Sequence, residues 1–296
     1  MPEVLTGDAA VAVVRALAQE AAAAGEAPPF SDQTLVDVGA GRATVLVDDG
    51  RAAAVVRDGE LELMVGLEAR GRGIGTALVR QALASGTADA PAPTLAWAHG
   101  DAPAARALAR AFGWSAARTL LQLRAPIPEG DADPGLPAGM SLVPFAAGSA
   151  AATPSEAAWL GLNATAFSHH PEQGRMTLDD LREREAEDWF EPADVLLLQD
   201  GDGALVGSCW LKVDGRIGEF YAVAVHPGRQ GQGLGGVLMR AGSARLSGRG
   251  LDAAALYVEG DNVPALALYR RTGFVDHTVD VQYAAPSDEQ GAAPSA

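Results

Sequence analysis

A single cysteine, Cys209, stands in 296 residues. That excludes an internal disulfide and any cysteine-cluster metal site, and it suits a reducing compartment. The chain start lacks the charged stretch, apolar run and cleavage site of a secretory signal. No run of about eighteen apolar residues is free of charges or turn formers, so no membrane span is expected. A cytoplasmic location follows as the expectation. Positive charge is scarce too: 22 Lys and Arg stand against 38 Asp and Glu, a formal net charge of −16. A general nucleic-acid binder needs a basic face, so that class is disfavoured. A small phosphorylated ligand is not, because a few local arginines can reverse the field around one loop.

What the chain does have is a repeat. Arg70-Gly71-Arg72-Gly73-Ile74-Gly75 reappears as Gln230-Gly231-Gln232-Gly233-Leu234-Gly235. Each copy follows a short apolar strand and opens a helix. Gly100-Asp101 pairs with Gly260-Asp261, and Gly113-Trp114 with Gly273-Phe274, all at a separation of 160 residues. One module is duplicated in tandem without a gap across this region. The length suits two domains, each with its own core.

The first domain is expected over 1–125. It begins with a helix from Asp8 to Ala24, then strands Ala43 to Val47 and Ala52 to Val56 around the turn Asp48-Asp49-Gly50-Arg51. Strand Glu60 to Val65, helix Gly75 to Ser85, strand Thr94 to Ala98, helix Pro103 to Ala111 and strand Arg118 to Arg124 follow. Proline, glycine and acid concentrate in 126–139, the linker. The order restarts in 140–285, with helices Ser155 to Phe167 and Leu178 to Trp189 and a hairpin of Val195 to Gln199 with Leu205 to Val213. Then come strand Glu219 to Val225, helix Leu234 to Leu246, strand Ala253 to Val258, helix Pro264 to Arg271 and strand Val279 to Tyr283. The small polar tail 286–296 is expected to be disordered. The alternating charges from Asp179 to Asp188 read as a solvated helix face.

Gly231-x-Gly233-x-x-Gly236 also fits the dinucleotide fingerprint, with Glu259 near the distance for a ribose acceptor. A dinucleotide turn runs almost directly from strand into the first glycine. Here His226 to Gln230 intervene, and Thr76 replaces the third glycine in the first copy, so that reading is rejected. Both copies share an arginine or glutamine, two residues, a glycine, one residue and another glycine. With Asn262-x-x-Ala265-x-x-Leu268-Tyr269-x-x-x-Gly273-Phe274 downstream, the pattern resembles the pyrophosphate loop and second hallmark of the GNAT acyltransferases. The resemblance implies an α/β (α+β) fold of two tandem GNAT domains, each a central mixed sheet flanked by helices. In such a loop glycines let the backbone approach the pyrophosphate and the helix dipole adds partial positive charge. Arg229, Arg70 and Arg72 can add charge-assisted bonds.

The copies differ where chemistry is expected. Tyr269 aligns with Ala109, and Glu219 with Gly59, with Glu60 next to it. The GNAT mechanism implies Tyr269 as general acid toward the leaving thiolate of coenzyme A. It implies Glu219 as the base that relays a proton from the attacking amine. An ammonium is not nucleophilic until deprotonated, and a leaving group benefits from a donor. The second domain is therefore expected to be catalytic and the first a degenerate copy. Cys209 lies in an apolar strand with no histidine nearby and reads as buried and inert. His169-His170 point apart on an extended chain and are a poor ligand pair. No metal is expected.

Trp97-Ala98-His99-Gly100, His170-Pro171-Glu172-Gln173-Gly174, Trp210-Leu211-Lys212-Val213, Leu256-Tyr257-Val258-Glu259 with Asp261-Asn262, and Val279-Asp280 before Tyr283 together resemble one tandem GNAT family, the mycothiol synthases. The resemblance spans both domains. It implies transfer of acetyl from acetyl-CoA to the cysteinyl amine of the cysteinyl-glucosaminyl-inositol (desacetylmycothiol), by direct attack in a ternary complex, giving mycothiol and CoA. Glu172, Lys212, Tyr257, Glu219 and, from the first domain, Asp32 would hold that substrate. Leu63, Met64 and Val65 with Gly71, Arg72, Gly73, Ile74, Gly75 and Thr76 would hold one acetyl-CoA. Val223, Ala224 and Val225 with Gln230, Gly231, Gln232, Gly233, Leu234, Gly235 and Gly236 would hold a second, joined by Asn262, Val263, Pro264, Ala265, Leu266 and Ala267. A monomer is expected. An N-acetyltransferase of another amine, such as an aminoglycoside or a peptide N-terminus, and a non-catalytic acetyl-CoA-binding module remain the alternatives.

Overall fold

A computed structural model describes residues 2–86, 91–128, 133–148, 152–168 and 173–286. The first half runs through strand β1 (Glu3–Leu5), helices α1 (Gly7–Ala23) and α2 (Asp32–Gly39), and strands β2 (Thr44–Val47), β3 (Ala52–Arg57) and β4 (Glu60–Val65). Helix α3 (Ile74–Ala84), strand β5 (Leu95–Ala98), helix α4 (Pro103–Ala111) and strand β6 (Ser115–Ala125) complete it. The second half runs β7 (Ser141–Pro144), α5 (Pro154–Ala166), α6 (Leu178–Glu185), β8 (Val195–Gln199), β9 (Leu205–Asp214) and β10 (Ile217–Val225). Helix α7 (Leu234–Leu246), strand β11 (Ala253–Glu259), helix α8 (Val263–Arg271) and strand β12 (Val275–Ala284) end it. The 160-residue spacing persists in three dimensions: α4 and α8, and the 3-10 turns Leu67–Ala69 and Pro227–Arg229, correspond at both ends. Among the described residues no helix is long and apolar enough to cross a membrane.

The chain packs into two compact units that are not continuous in sequence. Unit 1 comprises Met1–Leu121, Glu259–Asp261 and Thr278–Ala296; unit 2 comprises Gln122–Val258 and Asn262–His277. In unit 1, β1 to β4 form an antiparallel series, β5 joins β4 in parallel, and the end of β12 pairs with β5, Val281 opposite Ala98. In unit 2, β7 to β10 are antiparallel and β11 lies parallel to β10.

Period-two alternation divides the unit 1 core into two layers. Val45, Val47, Ala53 and Val55 meet Ala10, Val14, Leu17 and Ala21, the stripe of α1. Leu46, Ala52 and Ala54 meet Leu78, Val79 and Ala82 of α3. Truncating a buried core residue such as Leu17 to alanine would cost about 2–5 kcal/mol. In unit 2 one sheet face carries Trp210, ringed by Trp159 at 5.2 Å, Tyr221 at 5.3 Å and Phe190 at 5.8 Å between centroids. The other face presses on α7 so closely that a Cβ at Gly242 would overlap the Phe220 ring.

Three elements were not expected from sequence: β1, α2 and β7. Helix α2 spans only eight residues, with the Ser31 side chain accepting from the Thr34 N–H as its cap, too short to show a period. Helix α6 stops at Glu185 rather than Trp189, because Trp189 and Phe190 turn into the aromatic cluster. The charge run is also not simply a solvated face. Arg184 Nε donates to the Tyr221 hydroxyl at 3.1 Å, and burial together with the neighbouring Glu156 carboxylate pushes the Glu185 carboxyl up to about 7. The tail beyond 286 and His169-His170 lie outside the described residues.

Candidate active site

In unit 2, strand register gathers three of the singled-out side chains. Glu219 on β10 lies opposite Lys212 on β9 and beside Ala255 on β11. Neighbouring strand residues at one register share a face, and so do residues two apart, so Lys212, Glu219 and Tyr257 share one face. Lys212 is the chain's only lysine. Its ammonium sits 5.2 Å from the Trp189 ring centroid, within cation–π range. Tyr257 is 46% exposed, and its hydroxyl accepts from Gln122 Nε2 at 2.5 Å. Gln122 was missed by the sequence reading. The signal that could have found it is its repeat partner, Gln282, which stands 160 residues on.

A β-bulge lies between Phe220 and Ala222. A bulge bends its strand and raises the local twist. Strands β10 and β11 pair only over Ile217–Glu219 and Ala253–Ala255. Past that point they part, so Val223, Ala224 and Val225 remain in register with β9 alone. The turn beyond holds Gly231 at φ 77° and Gly233 at φ 80°, left-handed values that only glycine takes without strain. Gly233 is the N-cap of α7, so the first N–H groups of that helix have no intrahelical partner. Leu234 is buried, while Gln230, Gly231, Gln232 and Gly233 remain at the surface.

Helix α8 stands against α7: a Cβ on Gly235 would come within 2.8 Å of Leu268. Asn262 caps α8 by accepting from the Ala265 N–H at 3.2 Å. Pro264 occupies the first turn, where its missing N–H costs nothing; Val263 is exposed and Leu266 buried. One turn on, Tyr269 points toward Phe274, with 6.3 Å between ring centroids. Burial, reinforced by the nearby Cys209, pushes its phenol up to about 12. The group therefore stays protonated and remains a hydrogen-bond donor. Cys209 itself is buried, and burial raises its thiol far above reactive values.

Unit 1 repeats the framework. Gly71 and Gly73 are left-handed at φ 73° and 78°, and β4 pairs with β5 only at Glu60–Leu95 and Leu61–Ala96. A cavity of about 690 Å³ opens there, lined among others by Leu63, Met64 and Val65 and by Gly71, Gly73, Ile74, Gly75 and Thr76. Arg72 is not part of that lining. Asp32 is the first residue of α2 in this unit. Glu172 lies outside the described residues.

Two sequence expectations need correction. Two of the three loop arginines, Arg70 and Arg229, already have carboxylate partners. Arg70 makes two 2.6 Å bonds to Glu26, and Arg229 meets Asp200 at 2.5 Å. The partners lie 44 and 29 residues away, with no local signal. The second correction concerns the base. The gapless alignment set Glu219 against Gly59, but β4 has no bulge. Glu60 lies opposite Arg57 and beside Leu95, as Glu219 lies opposite Lys212 and beside Ala255. The counterpart of Glu219 is thus Glu60, while Gly59, at φ 78° after Asp58 at φ 49°, forms a tight hairpin turn. Glu60 is also heavily engaged: it accepts from Gln282 at 2.7 Å and from the Trp97 indole at 3.3 Å.

Residues 162–274 match the acetyltransferase (GNAT) family. The chain is 49% identical to the mycothiol acetyltransferase of Clavibacter sepedonicus, over 93% of this chain and 91% of that one. It is 43% identical to the mycothiol acetyltransferase of Kocuria rhizophila, over 90% and 93%. Among solved structures, a GCN5-related N-acetyltransferase from Sphaerobacter thermophilus superposes with a TM-score of 0.69 at 23% identity, covering 96% of this chain and 94% of that one. A tandem GNAT protein from the clavulanic acid biosynthesis pathway superposes at 0.67 and 22%, covering 97% and 99%.

Proposed function

This chain belongs to the mycothiol acetyltransferase family, and from that premise we propose that unit 2 carries the chemistry while unit 1 holds an acyl-CoA without turning it over. The enzyme is an acetyl-CoA-dependent N-acetyltransferase of a small molecule, transferring acetyl to desacetylmycothiol. Its fold is that of tandem GNAT domains. We read residues 1–125 and 140–285 as the two copies of the module and the enzyme as a monomer.

The acceptor amine is mostly an ammonium at neutral pH, since α-amino groups titrate near 7.7–8.0. Glu219 removes that proton, directly or through one water, and the freed amine attacks the thioester carbonyl. Lys212 and Tyr257, on the same face, orient the hydroxyl-rich remainder of the acceptor, and Gln122 holds the Tyr257 hydroxyl in place. Glu172 and Asp32 enter as further substrate contacts on the resemblance alone. Backbone groups of Val223, Ala224 and Val225, released where β10 parts from β11, hold the arm of the donor. The loop from Gln230 to Gly236 takes the pyrophosphate, with Asn262 to Ala267 along its flank.

Tyr269 stabilises the departing thiolate. Its phenol at about 12 is less acidic than a thiol near 8.5. It therefore donates a hydrogen bond to the sulfur while the C–S bond breaks and keeps its own proton, and the departing thiolate takes up the second proton that the amine nitrogen loses as the amide forms. The observation that carries this reading is the register that aligns Lys212, Glu219 and Tyr257 on one face beside the parted strands. The test is the Glu219→Gln chain in single-turnover acetyl transfer to desacetylmycothiol. A fall of about 10²-fold is expected for a lost general base; an unchanged rate in a folded variant contradicts the role.

A further inference from the structure

The unit 1 cavity of about 690 Å³ is lined mainly by apolar side chains of β4, β5, α3 and α4. Its lining runs from the loop at Gly71 and Gly73 to Val79 of α3 and to Phe112 and Trp114, which follow α4. The repeat spacing supplies an internal ruler. At four lining positions unit 1 carries the smaller side chain: Val79 against Met239, Ala96 against Leu256, Ala98 against Val258 and Ala109 against Tyr269. After α4 the order reverses, Phe112 against Thr272 and Trp114 against Phe274, which adds aromatic surface to the lining. Leu63, Met64 and Trp97 are larger than their counterparts Val223, Ala224 and Tyr257, so the space gained lies on the side of Val79, Ala96, Ala98 and Ala109.

The ionisable groups on the wall are already engaged. Both ring nitrogens of His99 face carboxylates, Glu62 at 3.4 Å and Asp280 at 3.2 Å. Arg70 is held by Glu26, and the Tyr283 hydroxyl donates to Asp101 at 2.8 Å. What the interior offers a ligand is apolar surface. With Ala109 in place of a phenol, and with Glu60 held by Gln282 and Trp97, a thioester seated here meets neither a free base nor an acid.

We propose that unit 1 binds, without transferring, a CoA thioester whose acyl chain is apolar and longer than acetyl, with the chain lying between α3 and α4. This rests on reading unit 1 as an acyl-CoA site. Each methylene buried in an apolar site tightens binding up to about fourfold, so chain length is a direct probe.

The experiment is calorimetric titration of the full chain carrying Gly233→Glu, which closes the unit 2 site, with acetyl-, butyryl- and hexanoyl-CoA. The dissociation constant is expected to fall by at least about tenfold from acetyl- to hexanoyl-CoA, a conservative fraction of the methylene gain. Adding Ala109→Phe is expected to erase that gain while acetyl-CoA still binds. Should Gly233→Glu fail to fold, the unsubstituted chain is titrated instead. Hexanoyl-CoA should then show a binding event that Ala109→Phe removes. Equal affinity for acetyl- and hexanoyl-CoA overturns the chain-length inference and leaves unit 1 an acetyl-CoA site. No binding of any of the three overturns the reading of unit 1 as an acyl-CoA site, and the inference with it.

Discussion

Helices α4 and α8 occupy the same place in two copies of one module, and both follow a strand that has parted from its neighbour. One carries Ala109 and the other Tyr269. The carboxylates differ more subtly. Glu60 and Glu219 hold the same register, but Glu60 stands beside a tight turn and under two donors, whereas Glu219 sits three pairs into a longer hairpin, opposite Lys212. The comparison teaches that a duplicated site can keep its carboxylate while the groups around that carboxylate change. The glycine loop, set by backbone dihedrals rather than by reactive groups, is almost unchanged between the copies.

The largest expected contrast is between the two carboxylates. Glu219→Gln should lower turnover by about 10²-fold, while Glu60→Gln should leave it within about twofold. Steady-state kinetics on both variants checks this, and equal losses would break the division between units. Next in size is the acid. Tyr269→Phe keeps the ring and should lower kcat by about tenfold or more, with little change in acetyl-CoA affinity, the pattern of an interaction formed mainly in the transition state. A large affinity loss with normal kcat would instead make Tyr269 a binding residue.

A smaller effect is expected at the paired glutamines. Gln122→Ala should raise KM for the acceptor by about two- to tenfold, the worth of one hydrogen bond, with kcat nearly unchanged. Gln282→Ala should leave that KM alone and lower the melting temperature. A kcat loss at Gln122 without a KM change would contradict the positioning role. The smallest effect concerns pH. Burial works against a charged His99, but Asp280 and Glu62 outweigh it and hold the ring at about 9. Because that folded value lies above the ordinary 6.5, the stabilisation is complete below about pH 6.5 and is lost as pH rises through about 9. Thermal unfolding of unit 1 should fall across that window, and His99→Gln should flatten the profile. A flat wild-type profile would show that the ring is not charged in the fold.

The sequence made the repeated framework legible because its signals are local. Glycines with left-handed φ at Gly71, Gly73, Gly231 and Gly233, a proline in the first turn of α4, and alternation in β2 and β3 each act within a few residues. The features it hid are non-local. Nothing near Val281 announces that it pairs with Ala98, or that Glu26 reaches Arg70. The bulge at Tyr221 adds one residue to a strand, and a gapless alignment absorbs it without trace, which is why Gly59 stood in for Glu60. Helix α2 fell below the length at which a period shows.

The central claim is that all acetyl transfer occurs in unit 2. The most direct measurement compares acetyl-CoA turnover by two folded full-length variants, Gly73→Glu and Gly233→Glu, each placing a charged side chain at a left-handed turn where only glycine is unstrained. Circular dichroism melts must first show both variants folded. The account predicts that Gly233→Glu is inactive while Gly73→Glu retains substantial activity. Equal loss of activity in the two folded variants would contradict it and make the unit 1 site part of the catalytic cycle.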